Sequence, residues 1–168
     1  LGLGLEHAVQ CALPELPAKI ENVIILCGDV PLINEKTLKS LINTHLQAQN
    51  AVTLLGVDLE HPSGYGRLVT DGDGNVIRIV EEADATDREK GISTINSGIY
   101  CIHRQFLEQT IAQLKANNAQ NELYLTDLIE IAATNNAPVG MILAQEPSEL
   151  LGINTLEDLK QVEALIAV

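Results

Sequence analysis

Asp29, Glu81, Asn96 and Asn154 each stand at or inside an apolar run, where a polar side chain needs a reason. The stretch VIILCGDVPLI, Val23 to Ile33, is apolar enough for a strand buried on both faces, yet it leads into Gly28-Asp29 and Val30-Pro31. Ligands of open α/β sheets bind beyond the carboxyl ends of strands, and a carboxylate there can hold Mg²⁺, which takes oxygen ligands and shares substrate phosphates. Capping the turn before Pro31 is the plainer use of Asp29. In PSGYGRLV, Gly64 and Gly66 let a backbone approach a ligand closely, although glycine-rich turns before strands are common. Glu81, in IVEEADAT, follows an apolar run and could accept hydrogen bonds from sugar hydroxyls or belong to a solvated acidic loop. Asn96 interrupts INSGIYCI, so its amide must find partners in a ligand or in the backbone. Thr126 and Asn154 precede helix-like segments, where capping alone would account for both.

These residues need a scaffold, and the hydrophobic pattern supplies one. Strand-like runs fall at Val23–Cys27, Ala51–Val57, Ile95–Ile102 and Val139–Ala144, with helix-period segments between several of them. That alternation predicts an α/β layer with a largely parallel sheet. One helix is expected from Glu35, with Asn34 as its cap and Leu38, Leu41, Ile42 and Leu46 on one face. Others are expected through Phe106, Leu107, Ile111 and Leu114, through Leu128, Ile129 and Ala132, and through Leu156, Leu159, Val162 and Ile166. Thr155 and Asp158 have capping-box spacing before the last. GRLVTDGDGNVIRIVEE differs in kind: two β-type runs flank Asp71-Gly72-Asp73-Gly74, which is hairpin chemistry. Asp71, Asp73, Asn75 and Glu82 also mimic a calcium loop, but Val76 occupies the position that needs glycine and the flanks are strand-like.

Composition narrows the function classes. A chain of 168 residues with 46% hydrophobic content can bury a substantial core. Aromatic residues make up 2%, leaving no platform for stacking nucleic-acid bases, and a net charge of −13 repels phosphate backbones. An anionic ligand would need a metal ion or a local group of cations. Cys11, Cys27 and Cys101 are odd in number and lack metal or redox spacing, which suggests buried thiols in a reducing compartment, the cytoplasm. No run has the length of a membrane span and no signal-peptide pattern opens the chain. The chain opens on Leu1 and its one methionine is Met141, so it reads as a fragment.

In their order, CGDVPLI, GYGRLV, VEEADAT, INSGIY, NNAQNELYLTD and GINT resemble the uridylyltransferase domain of bacterial bifunctional N-acetylglucosamine-1-phosphate uridyltransferases. The likeness covers essentially the whole chain. It implies one incomplete domain over residues 1–168: a Rossmann-like nucleotidyltransferase core with a mixed, mostly parallel sheet and an inserted antiparallel β-ribbon. The implied reaction joins UTP and N-acetylglucosamine-1-phosphate into UDP-N-acetylglucosamine and pyrophosphate with Mg²⁺. Asp29 and Asn154 would hold the metal; Gly66, Glu81, Asn96 and Thr126 would line the sugar pocket.

Departures from the family pattern set further expectations. The family's first strand and glycine-rich loop, which carry a catalytic Arg and Lys, have no counterpart before Leu1, so no catalytic residue is assigned and the segment alone is expected to be inactive. The family's LGTGHA reads LGLEHA here, with Leu5 and Glu6 replacing Thr and Gly, which weakens uridine selectivity. Ala83 stands where the family often has Lys. The family's β-helical acetyltransferase half is not represented in the sequence. Two rivals follow: a transferase for another sugar-1-phosphate, and a non-catalytic sugar-nucleotide binding module.

Overall fold

The computed structural model describes residues 4–120, 122–153 and 155–166. Helix α1 (Leu5–Ala12) leads to strand β1 (Asn22–Ile25) and helix α2 (Glu35–Ala48). Asn34 caps α2 as its sequence predicts, its side-chain oxygen accepting the Thr37 amide at 2.8 Å. Strands β2 (Val52–Asp58), β3 (Arg67–Thr70) and β4 (Val76–Val80) follow, then the short helix α3 (Asp87–Lys90), strand β5 (Thr94–His103) and helix α4 (Arg104–Thr110). Helix α5 (Asp127–Thr134), strand β6 (Val139–Leu143) and helix α6 (Leu156–Ile166) complete the order. The capping box at α6 forms: the Thr155 amide reaches Asp158 Oδ2 at 2.7 Å and the Asp158 amide reaches Thr155 Oγ1 at 3.1 Å. None of these helices is long and apolar enough to cross a membrane.

The strands form one sheet in the order β4-β3-β5-β2-β6, with β1 paired to β5. The mixed α/β architecture agrees with expectation, but the pairing is less parallel than the alternation of strands and helices suggested. Strand β5 runs against β1, β2 and β3, and β4 runs against β3; β2 and β6 form the parallel pair. Strands β1, β2, β3 and β6 therefore share a direction, and it is the reversed β5 between them that makes their contacts antiparallel. The hairpin turn between β3 and β4 lets those two strands pair side by side in opposite directions, with no need of the crossover helix that parallel neighbours require.

Both faces of the sheet are covered. Leu54 joins Ile25, Leu107, Leu128 and Ile129 on one face, whereas its neighbour Leu55 joins Leu41, Ile99 and Leu150 on the other. That alternation explains why β2 is apolar at most positions from Val52 to Val57 and buried throughout them. Strand β1 departs from its predicted two-sided burial: Ile24 is 38% exposed, and Leu26 directly after the strand is 46% exposed. Its one partner among the described residues is β5, so one edge of β1 is unsheltered.

The end of β1 remote from Asp29 is fixed by a buried polar chain. His45 is 1% exposed, with Nε2 3.0 Å from Asn22 Oδ1 and Nδ1 3.0 Å from Thr53 Oγ1. Asn22 Oδ1 can only accept, so the proton sits on Nε2; Nδ1 accepts from the Thr53 hydroxyl, which in turn accepts from Asn50 Nδ2 at 2.9 Å. The bonds are satisfied with a neutral imidazole. Accordingly its pKa is lowered, chiefly by burial and further by nearby His103.

Candidate functional site

A cleft of about 440 Å³ lies beyond the end of β1, and Cys27, Asp29, Gly66, Glu81, Asn96 and Gly98 are among the residues that line it. Four of the sequence-predicted site residues thus share one concavity. Asp29 reaches it from the turn after β1, Gly66 from the residue before β3, Glu81 from the residue after β4, and Asn96 from within β5. Asp29 is exposed, and its carbonyl accepts the Ile153 amide at 2.8 Å, which ties the segment before α6 to the turn after β1. Asn154 lies outside the described residues.

Gly66 is present for space. A Cβ built on it would lie 3.0 Å from Glu81 Oε2 and 3.0 Å from Ile79 Cγ2. Its carbonyl accepts the Asn96 amide at 2.8 Å, so the glycine loop and β5 are locked together beside the carboxylate. Thr126 precedes α5 but makes no side-chain cap; its hydroxyl instead donates to Glu81 Oε1 at 3.1 Å. The capping explanation therefore gives way to a contact between Thr126 and a cleft residue. Burial raises the Glu81 pKa, the Thr126 bond opposes that shift, and Asp84 adds to it.

Asn96 is held at both ends of its amide. Nδ2 donates to the Tyr100 hydroxyl at 2.7 Å, and Oδ1 accepts the Gly98 amide at 3.2 Å. One N–H and one lone pair remain for another partner. This geometry depends on a bulge: from the pair Leu54–Tyr100 to the pair Gly56–Asn96, β2 advances two residues while β5 advances four. Gly98 adopts φ 77° there, and Ser97 Oγ donates to the Leu55 carbonyl at 2.6 Å. Tyr100 and this bulge escaped sequence reasoning. An isolated glycine inside a strand pattern was the available signal.

The acidic hairpin is used structurally. Asp71 Oδ1 accepts the amides of Asp73 and Asn75, both at 2.9 Å, and Gly74 takes φ 86°. Asp71 is thus engaged in closing its own turn, and the calcium-like spacing needs no ion. Glu81 also borders a larger cavity of about 760 Å³ with Arg78, Lys115, Tyr124 and Asp127. Burial, followed by Asp84 and Glu81, pushes the Tyr124 hydroxyl up to about 12.

Asp29 and Glu81 are the charged side chains lining the first cleft, and no Lys or Arg lines it among the described residues. The described residues also contain no cluster of three or more His, Cys, Asp or Glu that could hold a metal. A cation at Asp29 would accordingly be completed by other oxygen donors, including water and ligand phosphate, a mode that suits Mg²⁺.

Comparisons with known proteins agree with this architecture. A sequence model of the nucleotidyl transferase family matches residues 1–150. The chain is 48% identical over 164 residues to the bifunctional protein GlmU of Geotalea uraniireducens, covering 98% of the chain and 36% of the relative. It is 42% identical over 161 residues to GlmU of Desulfotalea psychrophila, covering 96% and 48%. The chain thus spans roughly a third to a half of these relatives. Among solved structures, 4-diphosphocytidyl-2C-methyl-D-erythritol synthase from Anaerococcus prevotii aligns with a TM-score of 0.66 at 15% identity, covering 99% of this chain and 68% of that one. HddC from Yersinia pseudotuberculosis gives 0.63 at 19% identity, covering 99% and 64%. The chain belongs to the nucleotidyl transferase family.

Proposed function

We propose that this chain provides the sugar-phosphate side of a site that transfers a uridylyl group from UTP to N-acetylglucosamine-1-phosphate. The observation that carries the reading is the meeting of Asp29, Gly66, Glu81 and Asn96 in one cleft, with Thr126 bonded to Glu81. The family membership and the identity to GlmU sequences give that cleft its reaction class. In the reaction, a phosphate oxygen of the sugar phosphate attacks the α-phosphorus of UTP. A new P–O bond forms, the bond from the α-phosphorus to the bridging oxygen breaks, and pyrophosphate leaves. Such transfer asks for positioning and charge stabilisation more than covalent chemistry.

Asp29 and Asn154 are assigned to Mg²⁺, which when bound offsets phosphate charge. That need is acute because the cleft's charged lining residues are both acidic. Glu81 accepts from sugar hydroxyls and Thr126 holds its carboxylate in place. Asn96 offers its remaining N–H or lone pair to the sugar, and Gly66 gives the sugar ring close access to the backbone. Location in the cytoplasm belongs to the same proposal, supported by the three free thiols.

Calorimetric titration with N-acetylglucosamine-1-phosphate and with UDP-N-acetylglucosamine, each with and without Mg²⁺, tests the reading. Binding should strengthen with Mg²⁺ and lose that gain in Asp29→Asn. Equal binding with and without the metal, persisting in the variant, refutes the transferase assignment and supports a sugar-nucleotide binding module. Tighter binding of another hexose-1-phosphate would redirect the sugar assignment.

A further inference from the structure

Arg67 is the largest fully buried side chain, 1% exposed, although it opens β3 directly after the glycine loop. Its Nη2 is 2.6 Å from Glu82 Oε2, its Nη1 donates to the Tyr65 carbonyl, and its Nε has no partner among the described residues. The same Glu82 oxygen accepts the Gly64 amide at 3.3 Å. One buried guanidinium and one carboxylate therefore grip Gly64 and Tyr65 from below. Glu82 follows Glu81, and Tyr65 precedes Gly66, so the grip joins the two chain segments that carry neighbouring cleft residues. A buried cation with an unsatisfied N–H is a costly way to stabilise a fold, and an apolar side chain of similar volume does that better. What the ion pair adds is a fixed register between the glycine loop and the end of β4.

We propose that Arg67 and Glu82 are positioning residues that hold the Gly64–Gly66 loop against Glu81 in its ligand-ready geometry. The proposal deepens the sugar-phosphate reading of the cleft and rests on it for the ligand, but its mechanical core is independent of any ligand. Gly64, at φ 88°, has a left-handed conformation that glycine tolerates without fixing, so the loop needs an external restraint. Arg67 suits this task better than Lys because its planar fork can address a carboxylate and a carbonyl at once.

The test compares the wild-type chain with Arg67→Met/Glu82→Gln, which keeps the buried volume while removing the ion pair, and with Glu82→Gln alone. Two quantities are read: amide hydrogen exchange at Gly64 and Tyr65, with Asp73 and Asn75 in the distant hairpin as internal controls, and affinity for N-acetylglucosamine-1-phosphate with Mg²⁺. Exchange at Gly64 and Tyr65 should accelerate about tenfold in the double variant, the effect of losing one charge-assisted restraint. The controls should be unchanged, melting should stay near wild type, and Kd should weaken about tenfold. Because the double variant retains its core, it answers even where Glu82→Gln alone unfolds. Unchanged loop exchange overturns the proposal, and so does faster exchange with unaltered affinity. Faster exchange in a protein whose wild type does not bind the sugar phosphate supports the clamp and overturns the reading of the cleft.

Discussion

Gly66→Ala isolates the demand for space at the cleft. Gly66 is buried and lies outside the positive-φ region, so its backbone accepts alanine and any penalty comes from the methyl group. That methyl would sit 3.0 Å from Glu81 Oε2, 3.0 Å from Ile79 Cγ2 and 3.2 Å from Glu81 Oε1. Relief requires a retreat of roughly 0.5 Å to reach ordinary contact. Glu81 is not free to retreat, since Thr126 donates to its Oε1 at 3.1 Å. Overpacking of this kind costs about 1–3 kcal/mol, and the lost flexibility of the unfolded chain returns about 0.4–1 kcal/mol. A net loss of about 1–2 kcal/mol lowers Tm by roughly 2–8 °C in a chain of this size. Affinity for N-acetylglucosamine-1-phosphate should fall by about tenfold or more at temperatures where the variant stays folded, because the methyl fills the space that the sugar is to approach. Calorimetry gives both numbers. Gly72→Ala is the control, as a Cβ there meets nothing within 4 Å; it should leave affinity unchanged and raise Tm by roughly 1–4 °C, the unfolded-chain gain alone. A Gly66→Ala protein that melts and binds like wild type refutes the assignment of Gly66 to the cleft wall.

Further outcomes follow from the same geometry. Thr126→Val preserves shape but removes the hydroxyl that donates to Glu81; it should destabilise by about 1 kcal/mol. The loss should be larger at pH 8 than at pH 4, because the hydroxyl favours the ionised carboxylate; equal losses by thermal melts would disprove that coupling. His45 titrates below its unfolded value of 6.5, so the native state holds fewer protons and stability declines as pH falls through and below that value. Melting curves between about pH 8 and 5 should show the decline in wild type and a weaker one in His45→Gln, with parallel profiles as the adverse result. Tyr100→Phe removes the acceptor of Asn96 Nδ2; sugar-phosphate affinity should drop severalfold while the Asn96 side-chain amide resonances broaden, and sharp, unshifted resonances would count against its role in holding Asn96.

Local chemistry was legible in the residues themselves. Asn34 starts α2, Thr155 and Asp158 start α6, and Asp71 to Gly74 turn the β3–β4 hairpin, because capping and turn bonds join residues two to four apart. The strand-like run at Ala51–Val57 is where β2 forms, and the family motifs named Asp29, Gly66, Glu81, Asn96 and Thr126 before any contact between them was visible. Three-dimensional arrangement decided the rest. The reversed β5 made most pairings antiparallel, and one bare edge left Ile24 exposed on β1. The bulge at Ser97-Gly98 turned Asn96 toward Tyr100, and the fold brought Thr126 to Glu81 across 45 residues of chain and Arg67 to Glu82 across 15. Caps and turns follow from bonds between sequence neighbours, whereas a strand's partner and a buried group's counter-ion are chosen by the whole chain competing for the same interior.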